Sequence, residues 1–191
     1  MPARSKLTFH PLTPERWRDL ETLFGERGAS GGCWCMWWRL ARSRFIEQKG
    51  EANRKAFKKI VDTGPPPGLI AYSGPRPIGW CALAPRGTFP VLERSRILKP
   101  VDAQPVWSVV CLFVAKPFRR SGISAKLLKA AAAYARKCGA KIVEGYPVDP
   151  GSRPLPDVFA WTGLAPAFRK AGFEEVLRRS KTRPIMRRPV G

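Results

Sequence analysis

Histidine is nearly absent from this chain: His10 is the one copy in 191 residues. Ser-His and Cys-His nucleophilic sites need a histidine beside the nucleophile, and His10 falls in an expected first strand, which argues against that chemistry. Acidic residues are scarce as well, 14 against 35 Lys and Arg, so the formal net charge is +21. No apolar run approaches the roughly eighteen residues of a membrane span. The opening Met1-Pro2-Ala3-Arg4-Ser5-Lys6 has no apolar stretch of the kind a secretory signal carries, so the expected location is cytoplasmic, with no membrane partner. The five cysteines are an odd number, mostly in apolar contexts, and are expected to be reduced, buried thiols. Cys33-x-Cys35 has no second close pair and only one histidine to join it, so no metal is expected.

What is present is a globular composition, 44% hydrophobic and 26% charged, with length enough for one domain and a sizeable core. The domain is expected over residues 1–180. The basic, proline-containing stretch 181–191 reads as a tail, either mobile or an edge strand. The positive charge favours anionic partners, nucleic acid among them, through long-range attraction. It is dispersed rather than gathered in a stripe, so a solvated basic surface is the competing reading.

Leu7 to Pro11 reads as a first strand. Thr13-Pro14-Glu15 then opens a helix carrying Trp17, Leu20, Leu23 and Phe24 on one face. The aromatic segment Trp34 to Trp38 reads as core or pocket wall. A second helix is expected over Glu51 to Val61, and Gly64-Pro65-Pro66-Pro67-Gly68 stops it. Leu69 to Tyr72 and Ile78 to Leu83 read as a hairpin. Pro85 to Pro105 is expected to be a loop. Lys141 to Tyr146 reads as a strand, Pro147 to Pro156 as a loop over the site mouth, about Thr162 to Ala171 as a helix, and Glu174 to Arg178 as a last strand.

One junction carries chemistry. Val109-Val110-Cys111-Leu112-Phe113-Val114 has no polar alternation, as in a strand buried on both faces. It runs through Arg119-Arg120-Ser121-Gly122-Ile123-Ser124 into a helix with Leu127, Leu128, Ala131, Ala135 and Cys138 on one stripe. Such a turn aims unpaired N–H groups and a helix N-terminus at one spot, an anion cradle. Gly122 lacks the Cβ that would hold a phosphate off the backbone. Arg-x-x-Gly alone is weak, occurring five times, from Arg76, Arg119, Arg136, Arg169 and Arg188. Only the Arg119 copy follows a buried strand and opens a helix; Gly139 and Gly172 read as helix C-caps.

This turn resembles the acyl-CoA signature of the GNAT superfamily of N-acetyltransferases, Arg/Gln-x-x-Gly-x-Gly/Ala, with Ser124 in the last small position. The resemblance extends over roughly Leu7 to Val176. The segments Gly32-Cys33-Trp34-Cys35-Met36-Trp37-Trp38, Gly79-Trp80-Cys81-Ala82-Leu83-Ala84-Pro85 and Glu144-Gly145-Tyr146-Pro147-Val148-Asp149 are similar to one bacterial branch. It implies an α/β (α+β) domain, a mixed central sheet flanked by helices, with CoA entering a V-shaped split between two parallel strands. It also implies acetyl-CoA as co-substrate and an amine as acceptor; the chain is expected to be a monomer or homodimer. The pyrophosphate would rest on Arg119, Arg120, Ser121, Gly122, Ile123 and Ser124, and a backbone N–H near Leu112, Phe113 or Val114 would polarise the thioester oxygen.

Superfamily members often place a tyrosine acid in the segment that here reads Ala167-Phe168-Arg169-Lys170-Ala171-Gly172-Phe173. The matching residue is Phe168, which lies beside the cofactor in the resemblance and has no proton to give. Glu144 interrupts an apolar run, so it is a candidate base, with Tyr146 projecting to the same side as the acid. The alternative is that Glu144 pairs with an arginine and Tyr146 is a packed aromatic. A CoA-binding or nucleic-acid-binding module without transfer is the alternative for the whole chain.

Overall fold

Apolar runs punctuated by Gly and Pro form strands that satisfy their backbone groups edge to edge. In the computed structural model, which describes residues 6–151 and 155–191, these are β1 (Leu7–Pro11), β2 (Gly68–Ser73), β3 (Arg76–Pro85), β4 (Trp107–Val114), β5 (Ile142–Gly145), β6 (Glu174–Arg178) and β7 (Pro184–Pro189). The helices are α1 (Trp17–Phe24), α2 (Arg42–Glu47), α3 (Glu51–Thr63), α4 (Pro90–Glu93), α5 (Ile123–Lys137) and α6 (Ala165–Lys170). The strands make one sheet in the order β1-β2-β3-β4-β5-β7-β6. Among the described strands only β4 and β5 pair in parallel, the arrangement that the crossover through α5 allows.

The sheet has a core on each face. On one lie α1, α3 and the aromatic segment around Trp34 and Trp38, packed on Trp80, Phe57 and Tyr146. On the other, α5 buries Leu127, Leu128, Ala131 and Ala135 against Leu83 and Val109. Full burial of each leucine contributes about 1.5–3 kcal/mol. Cys138 departs from the expected stripe and is exposed, because α5 has ended at Lys137. Gly139 and Gly172 both carry positive φ, as expected of caps.

Three further expectations are corrected. Pro14 opens a 3-10 turn rather than the helix itself, and Thr13 makes no side-chain capping bond. The stretch from Pro85 to Pro105 is not all loop: it holds a 3-10 turn and α4, and it buries Arg86. The segment expected as a tail or edge strand supplies β7, which is paired on both sides, with β5 and with β6. Its two prolines stand at the strand ends, where a missing N–H is tolerated. Residues 1–5 and 152–154, the latter inside the expected mouth loop, lie outside the described residues.

Candidate active site at the split between two parallel strands

β4 and β5 pair over Trp107–Val143, Ser108–Glu144 and Val109–Gly145, and β5 then ends while β4 continues to Val114. The two strands therefore part from Val110 onward. The β3–β4 register shifts at the same place, leaving Val110 between the partners of Ala82 and Leu83. Its carbonyl accepts a hydrogen bond from Trp38 Nε1 at 3.0 Å.

Successive amides along a strand face opposite sides, so only alternate residues of β4 address the split. Leu112 does: its N–H donates to the Trp161 carbonyl at 2.7 Å, away from β3. The Val114 carbonyl, on the same side, accepts from Arg119 Nε at 3.0 Å. Phe113 faces its amide to β3 instead, opposite Trp80, and its ring packs edge-on against Phe24. The three residues expected to polarise a thioester thus separate: Leu112 and Val114 border the split, and Phe113 does not.

The cradle lies at the open end of β4. Arg119 follows a 3-10 turn, Arg120 has φ of 59° and Gly122 of 80°, and α5 begins at Ile123. Among the described residues no backbone or side-chain acceptor meets the N–H groups of Arg120, Ser121, Gly122, Ile123, Ser124 or Ala125. Ser121 turns its hydroxyl to the Phe118 carbonyl. A Cβ built on Gly122 would meet nothing within 4 Å, so the space before these amides is open. Unpaired N–H groups and the positive end of a helix dipole suit a pyrophosphate. The residues present therefore fit CoA.

The segment before α6 reaches across this region. Asp157 Oδ2 lies 2.9 Å from Arg119 Nη1. Trp161 holds the Leu112 amide, while Val148, beyond the end of β5, donates to the Gly163 carbonyl and accepts from the Ala165 N–H, each at 2.9 Å. Residues 161–165 thereby bridge β4 to the continuation of β5. Phe168 is fully buried behind them. Its ring takes the space above Gly145, where a Cβ would come within 2.1 Å of Cε1, and it packs edge-on against Phe173.

At the foot of the split Glu144 and Tyr146 are brought together, but not as an open pair. Tyr146 donates its hydroxyl hydrogen to Glu144 Oε1 at 2.6 Å, and Arg86 Nη1 donates to both, at 3.1 Å to the carboxylate and 2.6 Å to the hydroxyl. Arg187 Nε donates to Glu144 Oε2 at 2.7 Å, and Ser108 shares a 2.8 Å hydrogen bond with Tyr146. Both residues are completely buried. Burial, then the Glu144 charge, pushes the Tyr146 phenol well above its ordinary range. Both carboxylate oxygens are committed to donors and neither group faces open space, the arrangement that the alternative reading describes.

Arg86, Asp157 and Trp161 escaped the sequence reading. Asp157, as a rare acid in a proline-rich loop, carried some signal; Arg86, one of 35 basic residues, carried none.

No curated protein matches the chain. Among solved structures, it is similar to a GNAT acetyltransferase from Listeria monocytogenes, with 7% identity, 96% of this chain and 94% of that one covered, and a TM-score of 0.56. It is also similar to the PaiA N-acetyltransferase of Thermoplasma acidophilum in complex with coenzyme A, with 16% identity, 96% and 99% covered, and a TM-score of 0.52. YncA of Salmonella typhimurium, solved with acetyl-CoA, gives 12% identity, 97% and 94% covered, and a TM-score of 0.51. At these identities the likenesses speak for the fold. The sequence model of the Acetyltransferase (GNAT) family matches residues 34–155, well over half of the chain and the whole of the β4–α5–β5 unit just described. With the strands parted, the cradle open and that match in place, the chain belongs to the GNAT acetyltransferase family.

Proposed function

We propose that the protein transfers an acetyl group from acetyl-CoA directly to the amino group of an acceptor. The observation that carries this reading is the row of unpaired amides from Arg120 to Ala125, set beside the free edge of β4. Arg119 and Arg120 add charge to those amides, and Gly122 keeps the approach open. Acetyl-CoA supplies a thioester whose C–S bond is exchanged for an amide C–N bond. The Leu112 N–H is the donor placed to polarise the carbonyl oxygen, once the Trp161 carbonyl yields it. The protein's contribution is then positioning and backbone polarisation, with the amine's proton leaving to water. A thiol with a pKa near 8.5 is a tolerable leaving group without a side-chain acid.

A second reading is a CoA-binding module without transfer. It is favoured by the commitment of Glu144 and Tyr146 to the buried network and by the lack of a proton on Phe168. Calorimetric titration with acetyl-CoA, beside Gly122→Glu, tests the cradle: micromolar binding lost in a folded variant is expected. Release of CoA thiol in the presence of a panel of amines then separates the two readings. Binding without release on any amine supports the module; no binding by folded wild type defeats both.

A further inference from the structure

A pocket of about 240 Å³ between α2 and α4 is lined by Arg39, Arg44 and Arg94, with Leu40, Pro90 and Val91 among its walls and no acidic residue. On a chain of net charge +21, arginines on a surface mean little by themselves. The comparison is the larger groove along α3, about 460 Å³, where Glu51 and Asp62 join the lining and pair with Arg54 and Lys58. That groove offsets part of its charge from within, with two carboxylates against four cations. The Arg39 pocket does not: among the described residues none of its three guanidiniums has a carboxylate partner.

Arg39 sets the pocket apart further. Its Nε is one of two buried side-chain polar atoms without a hydrogen-bond partner among the described residues, the other being Asn53 Oδ1. Its guanidinium stacks on the Phe89 ring, 4.7 Å from the centroid, which fixes the plane of the fork. Nε is itself closed off from solvent, so a ligand in the pocket would meet the outer Nη side of the fork, which has no hydrogen-bond partner among the described residues either. Three guanidiniums against apolar walls concentrate positive potential, and the planar fork matches carboxylate and phosphate oxygens.

One residue, Trp38, separates the pocket from the split. The Val91 N–H donates to the Trp38 carbonyl at 3.3 Å, and the Trp38 indole donates to Val110 on β4, two residues before Leu112. We propose that the Arg39–Arg44–Arg94 pocket binds a phosphate or carboxylate group borne by a small acceptor molecule. As an anchor for the acceptor it rests on the transferase reading; as an anion site it stands without it. The acceptor class this selects is a small amine that also carries an anionic group.

The test is calorimetric titration of the full chain with inorganic phosphate at fixed ionic strength, in the absence of CoA and with Gly122→Glu in every protein titrated with phosphate, so that the cradle cannot take it up. Wild type is compared with an Arg44→Gln/Arg94→Gln variant and with Lys129→Gln/Lys137→Gln, which removes the same charge from α5. The pocket variant is expected to bind phosphate at least tenfold more weakly, with the α5 variant and CoA binding unchanged. O-phosphoethanolamine and an RNA oligonucleotide then compete for bound phosphate, and displacement by the former is expected. Equal weakening in the α5 variant, no change in the pocket variant, or no phosphate binding by wild type overturns the site. Displacement by the oligonucleotide alone overturns the small acceptor. Failure of CoA binding with phosphate binding intact would defeat the transferase reading and leave the anion site standing.

Discussion

Arg119 Nη1 lies 2.9 Å from Asp157 Oδ2, so the arginine expected to meet a pyrophosphate is already holding a carboxylate from the chain's own loop. The pair is partly exposed, where such contacts are worth about 0.2–1 kcal/mol. Asp157→Asn is therefore expected to tighten CoA binding by a small factor, about 1.4- to fivefold. Arg119→Ala is expected to weaken it. Titration calorimetry on both variants decides; equal affinity of Asp157→Asn and wild type would show that the carboxylate does not compete.

The second contact of that loop predicts a pattern in hydrogen exchange. The Leu112 amide donates to the Trp161 carbonyl in the free protein and is expected to be protected. If CoA displaces the loop, peptides covering 157–163 gain exchange on its addition while Leu112 stays protected by its new acceptor. Slower exchange in both regions would mean that the loop closes over the cofactor rather than yielding to it.

Glu144 sits between Arg86 and Arg187 with no exposure to solvent. Removing its charge leaves two guanidiniums short of a partner, although Glu93 and Asp102 still engage them. A loss of about 3 kcal/mol is expected for Glu144→Gln, from the cost of breaking buried pairs. For a chain of this length that corresponds to a melting temperature about 6–12 °C lower. An unchanged melting temperature with turnover reduced tenfold or more would restore Glu144 to the mechanism.

Asp102 predicts an acid limb. Arg187, in a bidentate pair, and the Gln104 backbone N–H hold its carboxyl down at about 2, whereas an unfolded aspartate titrates near 3.9. A depressed folded value means that the unfolded chain takes up the proton first. The stabilisation is therefore complete above about pH 4 and is lost as the pH falls towards 2. The gap in urea midpoint between wild type and Asp102→Asn is expected to close over that window, and a constant gap would contradict the assignment.

How much of this was readable in advance depended on how far apart the partners lie. The run Val109 to Val114 and the turn Arg119 to Ser124 declare themselves because strand, glycine and helix are contiguous, and the local rules agree. Glu144 does not: an acid inside an apolar strand reads alike whether it faces a substrate or two arginines. Its partners stand 58 and 43 residues away. The segment Pro184 to Pro189, with two arginines and two prolines, has little strand character of its own. It is held as a strand by its ladders to β5 and β6 and by the burial of Ile185 and Met186, while Arg187 answers Glu144 and the Arg188 Nη1 donates to the Ala171 carbonyl at 2.7 Å. Those interactions have no signature shorter than the whole sheet.

The position of β7 also sets an order on synthesis. β6 pairs with β7 alone, and β7 lies later in the chain, so β6 emerges from the ribosome with its partner still unmade. Until residues 184–189 arrive, β5 presents a bare edge and Glu144 lacks the donor on Oε2. The parallel pair at the centre of the site is thus sealed last, by the final strand of the sheet in chain order. For that interval the nascent chain depends on its charge, rather than on a finished fold, to keep an open strand edge from meeting another.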